Sequence, residues 1–180
     1  SGGVIVEVQG AEAAVTRFDR ELPGIPPPAR IECLRREERP LEQESAFVIA
    51  TSQTIDPAAA AIAPDLATCP ACRAELFDPA ARRYRYPFTT CSHCGPRWSI
   101  LQRLPFDRVH TAMARFALCR DCRAEYADPA DRRFHAQTLA CPVCGPRLAW
   151  HDAAGRPGPL GDAALAQAVV TLRAGGIVAV

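Results

Sequence analysis

Apolar residues along this chain fall in short bursts, and each burst has its own period. Val4-Ile5-Val6-Glu7-Val8 is β-branched and strand-like. Gly10 marks a turn. Val15, Phe18 and Leu22 then stand at i, i+3 and i+7, one face of a helix over 11–22. Pro23-Gly24-Ile25-Pro26-Pro27-Pro28 ends it, because proline removes backbone donors and clashes with the preceding turn. Ile31, Cys33 and Leu34 suggest a second strand, and Phe47-Val48-Ile49 a third. The predicted order is β-α-β-β, half of a small α+β sandwich. Such a piece is too short to bury a good core alone. Near the other end, Leu165, Val169 and Leu172 mark a helix over 163–173, with Gly175-Gly176 as its stop. Ile177-Val178-Ala179-Val180 reads as a buried strand after it, the first αβ unit of a larger domain.

Between these patterned ends lie two stretches rich in turn formers and small residues. Residues 51–64 are a predicted linker of Ala, Pro and Asp. Residues 151–161, with Gly155, Pro157, Gly158, Pro159 and Gly161, are a second. The expected organisation is 1–50, linker, a central region 65–150, linker, and 162–180. Both termini fall inside predicted elements, so a segment of a longer chain is expected, with the other half of the sandwich before Ser1. No apolar run approaches the roughly 18 residues needed to cross a bilayer. The start lacks the basic and apolar regions of a signal peptide. A cytoplasmic protein without membrane contact is expected.

Composition changes the picture in two ways. The 180 residues include 21 Lys plus Arg, and every one is Arg. Schiff-base and P-loop mechanisms that need a Lys are therefore excluded within this chain. The net charge of +1 also hides a partition. Residues 1–68 hold 6 Arg against 11 acids, a charge of −5. Residues 69–147 hold 13 Arg against 7 acids, a charge of +6, and 148–180 are neutral.

The basic centre is also where eight of the nine Cys lie. Their spacing is Cys69-x2-Cys72-x18-Cys91-x2-Cys94, repeated at an offset of 50 as Cys119-x2-Cys122-x18-Cys141-x2-Cys144. Aligning 69–97 on 119–147 gives 15 identities in 29 positions. They include Arg73-Ala74-Glu75, Asp78-Pro79-Ala80, Arg82-Arg83 and Gly95-Pro96-Arg97 with their counterparts fifty residues on.

Two C-x2-C turns can close a tetrahedron of thiolates on one cation. With four protein ligands no position stays open, so the site is structural rather than catalytic. Gly95 and Gly145 follow the second turn, where positive φ would aim backbone N–H groups at sulfur. Eight thiolates and two Zn²⁺ add −4, which brings the centre from +6 to about +2 by formal arithmetic. The Arg excess thus reads mostly as local compensation, and nucleic acid is not an expected partner. Iron fits the same spacing. A disulfide framework or C-x-x-C redox chemistry is the competing use of these residues. Ligand pairing is either sequential, each repeat holding one ion, or nested; the repeat favours sequential.

His93 and His135 are near the cysteines but have Val143 and Arg85 at the equivalent positions, so they read as bystanders. Cys33 reads as a small buried hydrophobe. Leu76, Phe77, Tyr84, Tyr86 and Phe88 supply the few core apolars of the first repeat. Trp98 to Leu101 and Leu104 to Phe106 read as packing between the repeats, with an exposed partner patch as the alternative.

Several segments resemble the HypF family, the carbamoyltransferases of [NiFe]-hydrogenase maturation. They are Asp65-Leu66-Ala67-Thr68-Cys69-Pro70-Ala71-Cys72, Arg82-Arg83-Tyr84-Arg85-Tyr86-Pro87-Phe88, Cys94-Gly95-Pro96-Arg97, Leu104-Pro105-Phe106-Asp107-Arg108 and Asp131-Arg132-Arg133-Phe134-His135-Ala136-Gln137. The resemblance implies an α+β assembly: the C-terminal part of an acylphosphatase-like (ferredoxin-like) domain, two tandem four-cysteine zinc-finger modules, and the start of a YrdC-like α/β domain. It implies that the full protein makes carbamoyl adenylate from carbamoyl phosphate and ATP. The carbamoyl group would pass to the C-terminal Cys of the partner HypE, for cyanide-ligand synthesis. Here the fingers would bind zinc and position domains. Acylphosphatase chemistry in that family uses an Arg loop and an Asn, and this chain has no Asn. The segment alone is therefore expected to hold metal and catalyse nothing. A zinc-ribbon module for nucleic acid or partner proteins is the alternative reading of the same cysteines.

Overall fold

The computed structural model describes residues 4–25, 29, 31–43, 46–50 and 64–180. The first expected linker falls almost wholly outside them.

Among the described residues of 4–50 one α-helix forms, α1 (Glu12–Glu21), followed by a 3-10 turn at Leu22–Gly24. The predicted helix is therefore present, but none of its residues is buried. The expected strands at 4–8, 31–34 and 47–49 do not form; no described residue of these spans lies in a strand. Val4 and Ile5 stand 89% and 85% exposed, and Cys33, expected inside, is exposed as well. The physical reason is that a β-branched run needs a neighbouring ladder to satisfy its backbone and cover its side chains. What holds this stretch are side-chain clips. The Gln9 amide donates to Glu42 O at 2.9 Å and accepts from Glu42 N at 3.1 Å, and Arg36 pairs with Asp19 at 2.5 Å.

The central region has short helices and many turns. Each repeat opens on a two-turn helix, α2 (Pro70–Phe77) and α3 (Arg120–Ala127), that starts directly after its first Cys. The chain then turns on an Asp: Asp78 and Asp128 each accept from the backbone two residues on, at 2.9 Å. Arg85 and His135, equivalent residues, take φ +56° and +50° and donate their N–H groups back to Leu76 O and Tyr126 O. The copies thus share backbone geometry as well as sequence. The connection between them is a run of 3-10 turns at Trp98–Ile100, Arg108–His110 and Ala112–Arg115.

Three small cores result. Cys72, Cys91 and Cys94 form the first, with Cys69 against it. Cys122, Cys141, Ala136 and Leu139 form the second. The third lies between the copies, where Tyr86, Met113 and Ala140 pack with Ile100, Phe88 and Phe116. The connecting segment therefore does fill the space between repeats, although Trp98 stays 66% exposed. Of the expected first-repeat apolars, only Tyr86 is buried; Phe77 and Tyr84 face solvent.

The second expected linker is instead mostly a hairpin. β1 (Ala149–His151) pairs antiparallel with β2 (Pro157–Leu160), with Ala149 opposite Leu160 and His151 opposite Pro157. Asp152 organises the turn by accepting from Ala154 N and Arg156 N, both at 2.9 Å, while Gly155 takes φ +75°. Prolines are tolerated because a two-stranded hairpin has only edges. α4 (Gly161–Arg173) follows, ending at Gly175 with φ +80°. It buries Ala164, not the predicted Val169 and Leu172 face. The expected strand at 177–180 is absent, and Ile177 is fully open.

Candidate metal centres

The eight repeated cysteines come together as two separate clusters. Cys69, Cys72, Cys91 and Cys94 make one, and Cys119, Cys122, Cys141 and Cys144 the other, with all four Sγ atoms of each within 4.8 Å of one another. The grouping is sequential, one cluster per repeat. In each cluster the first turn lies at the start of α2 or α3, and the second is a tight turn closed by Cys94 N to Cys91 O or Cys144 N to Cys141 O.

Sulfur spacing is diagnostic. Cys69–Cys91 and Cys91–Cys94 are 3.7 and 3.8 Å apart, and Cys119–Cys141, Cys141–Cys144 and Cys144–Cys122 are 3.7, 3.7 and 3.6 Å. A tetrahedron with metal–sulfur bonds of about 2.3 Å has edges of about 3.8 Å. A disulfide needs about 2.05 Å, and all nine cysteines are free. The donor set therefore fits a four-coordinate, thiophilic divalent cation and leaves it no open position.

Proton affinity points the same way. A hydrogen bond from Cys72 holds Cys91 down at about 4 and pushes Cys72 up. Burial pushes Cys122 up to about 12 and also raises Cys94 and Cys141. At Cys119 burial opposes ionisation, but hydrogen bonds from the Cys122 backbone and neighbouring thiols bring it to about 7. Each pocket favours one thiolate, Cys91 or Cys119, while Cys72 and Cys94 in the first and Cys122 and Cys141 in the second resist ionisation. A divalent cation is what would let all four ionise together.

The glycines differ in their reasons. Gly95 takes φ +92°, as expected, but its N–H donates to Leu66 O at 2.9 Å rather than to sulfur. Gly145 has no positive φ. A Cβ there would stand 2.2 Å from the Tyr86 hydroxyl and 2.5 Å from the Ala140 Cβ, so close approach between the copies demands it. The sulfur contact from backbone comes instead from His93 N to Cys91, at 3.4 Å. The His93 ring lies outside the cluster, and His135 stacks on Tyr126 with centroids 4.7 Å apart.

The paired arginines, seen in the sequence only as repeat identities, are what join the clusters. Arg132 donates to Cys72 Sγ at 2.7 Å and to Glu75 at 2.6 Å. Arg133 also binds Glu75, and its Nε donates to Thr90 O at 3.0 Å. The reverse set is equivalent. Arg82 donates to Cys122 Sγ at 3.4 Å and Glu125 at 2.6 Å. Arg83 donates to Glu125 at 2.5 Å, to Cys122 Sγ at 3.4 Å and to Ala140 O at 2.7 Å. Arg83 and Arg133 are 1% and 4% exposed. Burial alone would raise the Glu125 carboxyl, and the guanidiniums of Arg83 and Arg82 overcome it and hold it at about 2. The charge compensation read from composition is thus real but crosses between repeats. A cue lay in the doubled Arg-Arg and Glu of the repeat.

Comparison with known proteins points to one family. The HypF finger family matches residues 68–101 and 118–151, one match per cysteine cluster. Carbamoyltransferase HypF of Synechocystis sp. is 49% identical over 115 residues, and that of Rhizobium leguminosarum bv. viciae 46% over 115. This chain carries two HypF fingers. Each HypF alignment covers 63% of the chain and 15% of the relative, so the matched part is a small share of those enzymes. Two solved structures share its fold at 39% identity. HypF of T. kodakarensis matches with a TM-score of 0.76 over 91% of this chain and 20% of that one. A full-length HypF in a phosphate- and nucleotide-bound form matches with a TM-score of 0.72 over 80% and 19%.

Proposed function

We propose that Cys69, Cys72, Cys91 and Cys94 hold one structural zinc ion and Cys119, Cys122, Cys141 and Cys144 a second. In this reading the chain is the finger-bearing segment of a HypF-type carbamoyltransferase. The observation that carries it is the pair of all-thiol clusters with sulfur edges close to those of a zinc tetrahedron. Closed coordination gives the ions no catalytic vertex. Their role is to fold two modules with very small cores of their own.

The complete enzyme would form carbamoyl adenylate from carbamoyl phosphate and ATP and pass the carbamoyl group to the C-terminal Cys of HypE, in the cytoplasm. Residues 1–50 belong, on this reading, to an acylphosphatase-like domain and 162–180 to a YrdC-like one. The exposed Val4, Ile5, Phe47 and Ile177 support it, since such side chains call for partners. The finger region over 65–150 then acts as a rigid spacer between the two, limiting loss of a labile carbamoyl intermediate to water. The segment alone carries no reaction.

Native mass spectrometry with elemental analysis tests the metal: two zinc per chain is expected, and metal-free chains with four disulfides would overturn it. For the spacer, the full enzyme with its finger region severed from its neighbours should lose coupled carbamoyl transfer. Full efficiency there would refute the role.

A further inference from the structure

Each repeat supplies a complete ligand set, which by itself would make the two clusters independent beads. Their surroundings do not fit that picture. Each arginine pair reaches both halves of the other repeat's site. Arg133 and Arg132 touch Cys72 and Glu75 at the first turn, and Thr90, the residue before Cys91, at the second. Arg83 and Arg82 touch Cys122 and Glu125 at the first turn, and Ala140, the residue before Cys141, at the second. Thr90 and Thr138 hydroxyls meet at 2.9 Å, and Tyr86 donates to Pro146 O at 3.0 Å, so further bonds cross beside both second turns.

We propose that the two metal sites are one linked unit, in which filling either site raises the affinity of the other. This inference rests on the zinc reading above. A metal ion draws the two C-x2-C turns of its repeat together. That same closure assembles the paired receptor, one carboxylate, one sulfur and one carbonyl, on which the other repeat's arginines sit. The seated arginines in turn fix their own repeat, because Arg82-Arg83 and Arg132-Arg133 lie between its two C-x2-C turns. By linkage, whatever the metal does for the arginines, the arginines do for the metal. Guanidinium donors also suit four thiolates around a dication, a cluster of charge −2 that gains from nearby N–H groups.

The test uses the whole chain and zinc itself, read by native mass spectrometry at one zinc per chain. Linked sites give mainly the metal-free and two-zinc species. Independent equal sites would put one zinc on about half of the chains, and that result overturns the proposal. A second measurement guards against misfolded variants. Arg132→Gln, on a side chain 29% exposed, removes a donor from Cys72 but no zinc ligand. In competition with a chromophoric chelator, it should weaken zinc at the Cys69–Cys94 site by at least about tenfold, within the range for residues that support metal ligands. Affinity unchanged from wild type would refute the link. A chain that binds no zinc overturns both readings, whereas two zinc ions bound independently overturn only the coupling.

Discussion

Residues 4–50 and 64–148 fold in the reverse order of what their apolar patterning suggests. The first stretch has the more regular hydrophobic periods, yet its described residues form one α-helix and none of them is buried. The second has poorer periods, short two-turn helices and no sheet, yet it holds nearly all the buried residues. Pattern states which face would be covered, whereas covalent-strength contacts or a partner surface determine whether it is. The finger region brings its own organisers, eight thiols and four crossing arginines. Among its described residues the N-terminal stretch is held by clips such as Gln9 with Glu42 and by the contact of Phe47 with Phe134.

The sharpest way to break the comparison is metal removal. Chelation at neutral pH should unfold 64–148, given apparent zinc contributions of about 10–16 kcal/mol for peptide-sized sites. Amide exchange should show the loss confined to the fingers, with α1 unchanged. Equal loss in both regions would contradict the contrast.

Next in size is Arg83→Ala, which strips a buried charge from Glu125 and leaves Ala140 O without its donor. Breaking one side of such a pair should cost about 3–5 kcal/mol in denaturant unfolding of the zinc-loaded chain. A cost near zero would show that the crossing arginines are ornamental.

Glu125→Gln sharpens the electrostatic part. The carboxyl is held at about 2 against an ordinary 4.5. A depressed folded value stabilises the protein above the unfolded value, and that stabilisation fades as pH falls from about 4.5 towards 2. The gap between wild type and variant should thus be roughly 2–3 kcal/mol at pH 7 and shrink across that window. A gap that stays constant with pH would rule out the ion pair as its source.

Gly145→Ala should cost about 1–3 kcal/mol, as overpacking does, because its methyl must displace Tyr86 and Ala140. Thermal unfolding of the loaded chain reads this out. Arg17→Ala, at an exposed position of α1, should change stability by less than about 0.5 kcal/mol. A large cost there would reveal packing on α1 that its exposure does not suggest.

Much of the site was legible. The fixed C-x2-C spacing limits each pair of thiols to one turn, and the offset of 50 favoured one cluster per repeat. The helices of 12–21 and 161–173 followed from their periods. The hairpin at 149–160 was missed because its Gly and Pro content resembles a linker, and only the Asp152 turn makes pairing possible. The strands at 4–8, 31–34, 47–49 and 177–180 were over-read, since a ladder is a property of two segments and the pattern of one cannot supply it.

By itself, then, the sequence determined the cysteine clusters, the repeat and the family likeness, all of which are local or periodic. Only the tertiary structure decided where the arginines go. Each repeat contains both Arg-Arg and Glu, so pairing within a copy and pairing across copies use the same residues. Arg83 lies 3.4 Å from Glu75 in its own repeat but 2.5 Å from Glu125 in the other. That choice depends on how two similar bodies face one another, and no spacing along a single chain encodes it.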